Sequence, residues 1–202
     1  VVGNLALDAN TTGTRNAAFG QGALTENTTG NDNSAFGYYV LDAVTTGSEN
    51  TAMGRSAAGN ITTGGSNTAI GKYSLLNNTT ASYNTAIGAG SLQTNTTGAQ
   101  NVAIGYNSLY ASTTADKNTA VGYYALTSST TGSQNTAVGY DALGDNTTGT
   151  GNVAIGDRAL QVSSTGTGNV AIGLYSLNSN TTASYNTAVG RQSLNANTTG
   201  DK

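Results

Sequence analysis

The chain has 202 residues, of which 28 are Gly and none is Pro, Cys, His or Trp, and 8% are charged, against roughly a quarter in ordinary globular proteins. A net charge of −3 offers no basic footprint for nucleic acid, and the absence of Cys removes disulfide frameworks and thiolate metal sites. No apolar run approaches the roughly 20 residues that span a bilayer as a helix, so this segment is not expected to insert in a membrane.

Asn16 begins a pattern that restarts every 17 residues without one insertion, at Asn33, Asn50, Asn67, Asn84, Asn101, Asn118, Asn135, Asn152, Asn169 and Asn186. Written from that Asn, the unit is N-T-A-[VI]-G-x-x-[SA]-L-x-x-N-T-T-G-x-x. Residues 1–15 are the same unit without its first two positions, so residues 1–202 read as one array of about twelve units. Repeat proteins need atypical terminal units to stay soluble. Neither end departs from the pattern, so the expectation is a piece of a longer repetitive fibre.

Seventeen residues are too few for a helix–turn–helix unit, and Gly and Thr disfavour helix. The period fits one lap of an all-β parallel solenoid, with laps stacked about 4.8 Å apart. Two short strands and two tight bends per lap would fill it.

Taken in order along the unit, the first position is Asn in every copy that contains it, and a stacked amide ladder at a bend is expected, for instance at Asn84, Asn101 and Asn118. The third position is Ala in eleven units and the fourth always apolar, from Phe19 and Met53 to Ile70 and Val121. Gly88, Gly105 and Gly122 represent the fifth, which is Gly in all twelve; a bend needing positive φ and a lack of room for Cβ both explain it. At the ninth, Leu92, Leu109 and Leu126 represent a Leu present in eleven of twelve. Because side chains alternate along a strand, the fourth residue and the Leu are assigned to the interior, across a gap between two sheets. The small third, fifth and eighth residues would then make a smooth outer face suited to another chain. At the fifteenth position Ala81, Ala115 and Ala183 replace Gly, so smallness matters there more than φ.

All seventeen charged residues, and every Tyr, fall at the sixth, seventh, tenth, eleventh, sixteenth or seventeenth position. A disordered chain has no reason to sort charge by phase. In the unit beginning at Asn50, Ala58 replaces the Leu while Ile61 replaces the usual twelfth-position Asn. Ile61 is expected to refill the missing leucine's space.

NTAIGAGSL at Asn84–Leu92, NVAIGYNSL at Asn101–Leu109 and NTAVGRQSL at Asn186–Leu194 resemble the NSVAIG-type motif of YadA-like head domains of trimeric autotransporter adhesins. The likeness covers the nine-residue core of each unit and not its NTTG half. It implies a left-handed β-roll in each chain and three rolls packed side by side. Similar NTAVG/NTTG arrays also resemble repeats of phage tail fibres.

No catalytic constellation, cofactor site or metal site is expected, because every feature but the variable positions recurs about twelve times and His and Cys are absent. Asp141 and Asp145, and Asp157 beside Arg158, read as solvated side chains. Asn-Thr-Thr at Asn10, Asn27, Asn78, Asn95, Asn146, Asn180 and Asn197 matches the glycosylation acceptor pattern, although a structural role suffices. Adjacent tyrosines at Tyr38–Tyr39 and Tyr123–Tyr124 are candidate surface contacts. The functional expectation is a shaft or head segment of an extracellular adhesive fibre on a cell or virion surface. It would self-associate, with a homotrimer implied by the resemblance, and could meet glycans or a neighbouring cell surface. A phage tail fibre shaft with a glycan-binding surface is the first alternative. An ice-binding face built on the Thr columns of the thirteenth and fourteenth positions is the second.

Overall fold

The computed structural model describes residues 1–200. Each lap contributes one three-residue strand, from its second to its fourth position. The series runs from β1 (Ala17–Phe19) through β5 (Thr85–Ile87) and β6 (Val102–Ile104) to β11 (Thr187–Val189). The eleven strands form a single parallel sheet in sequence order. Its register advances by one unit per strand, so that Ala86 lies beside Ala103 and Ile87 beside Ile104. Val2 bridges to Phe19 ahead of the first strand. The chain is therefore a β-solenoid with a lap of seventeen residues.

Main-chain hydrogen bonds from lap to lap continue well beyond the strands. In the lap that begins at Asn84, the amides of Thr85, Leu92, Thr94 and Thr96 donate forward to carbonyls of the next lap at 2.8–3.2 Å. Gly88, Gly90 and Gln100 donate backward to the previous lap at 2.7–3.3 Å. Each lap is thus held on both sides through groups spread around its circumference.

A second strand per lap does not form. The seventh, ninth and seventeenth positions take left-handed backbone conformations, as at Asn107 (φ 50°), Leu109 (φ 52°) and Lys117 (φ 60°). Left-handed residues separated by a single residue cannot continue an extended strand. The return half of the lap is consequently a run of turns. The fifth position meets both conditions expected for its Gly. Gly122 has φ 144°, and a Cβ there would run into the Gly139 carbonyl oxygen of the next lap. Fifteenth-position glycines show no such φ, but a Cβ there would also press on the next lap's carbonyl, as at Gly98 against Ala115, so Ala81, Ala115 and Ala183 avoid the φ strain and need only a local shift of the neighbouring backbone.

The interior reverses the facing assigned to the strand. Ala18, Ala35, Ala86 and Ala103 at the third position are fully buried, as are the eighth-position Ala, Ser or Val and the leucines of the laps between the two end ones. The fourth-position residues face outward, with Phe19 42% and Met53 50% exposed. The cause is cross-section. A lap this short encloses one large side chain, the Leu, and the opposing wall must be Ala for the two sides to meet. The small third and eighth residues therefore line the core rather than an outer face.

Ile61 lies fully buried beside Ala58 and Val44 in that core, in agreement with the compensation expected from sequence. Replacing Ile61 with Asn should cost about 2–5 kcal/mol through the cavity left, and Ala58→Leu alone about 1–3 kcal/mol through overpacking. The double variant should return to near wild-type stability in urea denaturation. Additive losses would show that the two residues do not share one space.

Candidate interaction surfaces

Three surfaces follow from this arrangement. The first is the outer face of the sheet. The second and fourth positions of each lap, the two ends of each strand, point away from the core, giving one column of Thr, Val, Ser or Ala and one of Phe, Met, Ile or Val. Phe19 and Phe36 stack within the latter, ring centroids 5.0 Å apart. Ten inter-strand steps make the face about 50 Å long, and the two columns stand about 7 Å apart. No charged residue occupies either column.

The second surface follows the NTTG half. Thirteenth-position hydroxyls turn back to the main chain; Thr96 Oγ1 donates to the Thr113 carbonyl at 3.0 Å and Thr28 Oγ1 to that of Thr45 at 2.9 Å. Fourteenth-position threonines such as Thr97 and Thr114 are exposed. Of the two Thr columns considered for ice binding, one therefore faces solvent.

The third surface is built from the sixth and seventh positions. Tyr38 and Tyr39 meet edge to face at 4.4 Å, as do Tyr123 and Tyr124. Neighbouring laps extend these pairs into a column: Tyr106 stacks on Tyr123 at 5.1 Å and Tyr123 on Tyr140 at 5.7 Å. Arg158 then lies 5.0 Å from the Tyr140 ring and 5.6 Å from the Tyr175 ring, within cation–π range of both. Its Nη1 donates to the Tyr175 hydroxyl at 2.5 Å, and Asp157 is 3.7 Å away. Sequence reading picked out the two tyrosine pairs and missed the members contributed by adjacent laps. The signal was their common phase.

Asp141, in the same region, accepts a hydrogen bond from Gln161 Nε2. Burial nevertheless pushes its carboxyl above the usual carboxylate range, with Asp145 adding repulsion. A carboxyl raised on folding penalises the folded state above its folded pKa, and the penalty is relieved as pH falls through that pKa. Asp141→Asn should accordingly raise the melting temperature at pH 7, and the difference should vanish in acid. An equal effect at both extremes, followed by circular dichroism, would remove the charge from the account.

Beneath these surfaces run two polar ladders that fix the bends. At the first position, Asn101 donates through its main-chain N–H and Nδ2 to Asn84 Oδ1, at 3.0 and 3.2 Å, and through Nδ2 to the Ala115 carbonyl at 2.8 Å. Asn118 repeats this on Asn101 and Gly132. The side-chain oxygen replaces a main-chain acceptor where the chain turns, and the geometry requires a group that both accepts and donates.

Gly88, Gly105, Gly122 and the leucines Leu92, Leu109 and Leu126 form parallel columns beside that ladder, the leucines fully enclosed. The structure thus brings these columns together within each lap, while Tyr38 and Tyr123, each next to a fifth-position Gly in the chain, turn their side chains out to the surface.

The second ladder occupies the twelfth position. Asn27 Nδ2 donates to Asn10 Oδ1 at 2.9 Å, and Asn95 Nδ2 to Asn78 Oδ1 at 3.1 Å. Asn27, Asn78, Asn95, Asn146 and Asn180 are fully buried, so a glycan at these acceptor patterns is incompatible with the packed lap. The ladder breaks where the next lap lacks Asn, and also at Asn180, whose Oδ1 is unpaired although Asn197 follows. Asn146 Oδ1 and Ser163 Oγ are both buried without a partner. Ser163→Asn should close this gap and stabilise the fold by about 1 kcal/mol, read as a raised urea midpoint. A lowered midpoint would mean that the position cannot hold the larger amide.

No family model matches the sequence, and neither a curated protein nor a solved structure does.

Proposed function

We propose that the chain is a structural segment, shaft or head, of a long extracellular fibre that assembles from copies of itself through the outer face of its single sheet. The observation that carries this reading is the outward-facing, charge-free column at the fourth position, from Phe19 to Val189. Charge is admitted at six phases of the unit, yet this outward-facing phase, half-buried in the middle laps and exposed toward either end, never carries it. Core packing does not account for an outward-facing column that is apolar in every copy, and burial against another chain would.

Magnitudes say what the contact must include. The strip between the two outer columns projects about 350 Å² from the strand spacings, whereas a standard interface buries about 800 Å² per partner. The contact therefore has to enlist the residues flanking each strand, and it grows in proportion to the number of laps. A homotrimer is the assembly that the likeness to trimeric adhesin heads suggests, with a cell or virion surface as its setting. Rigidity serves either a shaft or a head, because each lap is hydrogen-bonded to both neighbours and no Pro or insertion interrupts the series. A phage tail fibre shaft would use the same architecture.

Sedimentation velocity on the purified protein should give a mass of several chains, three times 20.1 kDa for the trimer. Ile87→Lys combined with Ile104→Lys places two charges in the middle of the column. The variant should sediment as single chains with an unchanged circular dichroism spectrum. A wild-type protein that sediments as single chains would defeat the self-association reading.

A further inference from the structure

The side chains of the sixth and seventh positions make a stack along one edge of the rod, and it is interrupted at one lap. On one side Arg55 lies 6.0 Å from the Tyr38 ring and 5.7 Å from the Tyr73 ring, and the Lys72 ammonium 4.9 Å from the latter. On the other side the column resumes with Tyr106 and runs through Tyr123 and Tyr140 to Arg158. Between them the lap that begins at Asn84 carries Ala89 and Gly90. Flanking laps are two spacings apart there, roughly 9.6 Å, and the missing side chains leave a recess of about 160 Å³. A cavity of about 150 Å³ admits one six-membered ring.

The lining specifies the ring's chemistry. Tyr106 has one face against Tyr123 and contributes to the recess wall. The amide oxygens of Asn107 and Gln93 both reach over Gly90, the latter 3.5 Å from where a Cβ would stand. Neither amide has a hydrogen-bond partner among the described residues. Lys72 pairs with no described carboxylate. An aromatic face suits the apolar face of a pyranose, amides offer both donors and acceptors to its hydroxyls, and the ammonium is a charge-assisted donor for a carboxylate.

We propose that the Ala89–Gly90 recess binds one acidic pyranose residue of a saccharide, seated on Tyr106 with its carboxylate at Lys72 and its hydroxyls on Gln93 and Asn107. The site is complete within one chain and does not depend on assembly, so its failure would leave the fibre reading intact.

Saturation-transfer NMR on the whole protein with glucuronic acid, and with glucose as the neutral counterpart, tests the proposal. A ligand of this size binding at ordinary efficiency has a dissociation constant on the order of 1 mM. Glucuronic acid should transfer in that range and glucose about fivefold more weakly, and Lys72→Gln should remove the difference. Ala89→Tyr continues the column with a residue that the sixth position already holds at Tyr38, Tyr106, Tyr123 and Tyr140; it should fold normally and abolish transfer from both sugars. Absence of transfer from the wild-type protein up to about 20 mM, some twentyfold above that constant, would overturn the proposal. Binding that survives Ala89→Tyr, or equal binding of the two sugars, would overturn it too. A change in assembled mass on Ala89→Tyr would overturn it as well, because the recess would then belong to a contact between chains.

Discussion

Hydrogen bonding from one lap to the next is the interaction on which the rest of the structure depends. A lap taken alone is unfavourable. Its seventh, ninth and seventeenth residues sit in left-handed backbone conformations that cost an L-residue about 1–2 kcal/mol each, as at Tyr124, Leu126 and Gln134. An isolated lap would also leave its main-chain donors and acceptors without partners in the turns. Stacking supplies those partners on both faces at once. Hence each lap acts as the template for the next, and the period cannot drift by a residue without misaligning every column together.

The same constraint sets the cross-section. Laps in register bring identical positions within about 5 Å of each other, so whatever occupies a position must tolerate its own copy directly above and below. Leu on Leu, Ala on Ala and Asn on Asn satisfy this; buried like charges do not. Asn is the polar residue that suits a buried column, because its oxygen can accept from the amide of the next copy, as Asn84 does from Asn101. The twelfth-position ladder shows the converse. Where Ser follows Asn, at Asn95–Ser112 and Asn146–Ser163, both laps are left with unsatisfied atoms.

Much of this was legible in the sequence, and the parts that were not share a physical reason. The lap length, the parallel stacking, the demand for Gly at the fifth position and the Ile61–Ala58 exchange all depend on relations between copies, which the text displays directly. Strand alternation is different, since it fixes which residues share a face and leaves open which face is inside. Hydrophobicity argued for Ile, Val and Phe inside, whereas enclosure by seventeen residues favours Ala. Left-handed φ at Leu is equally invisible, because Leu has no intrinsic preference for that region, and it is what eliminated the second strand. The tyrosine pairs were visible as neighbours in sequence, but their extension through Tyr106, Tyr140 and Arg158 required the laps to be stacked first.

Two kinds of position are left unexplained by core packing. One kind is exposed yet restricted. The fourth-position column faces outward and is apolar in every copy, as the contact between chains proposed above would require along the whole length. The other kind is variable yet locally organised. Among the sixth and seventh positions most laps carry bulky or charged residues that lean on their neighbours, and the Ala89–Gly90 lap does not. The recess left by Ala89 and Gly90 has Lys72 and Tyr73 on one side and Tyr106 and Asn107 on the other. The guest proposed above answers to that asymmetry, with an apolar ring face for Tyr106 and a carboxylate for Lys72. The repeating column and the single exception occupy different phases of the same seventeen residues, so the proposed assembly and the proposed recognition are separable by substitution.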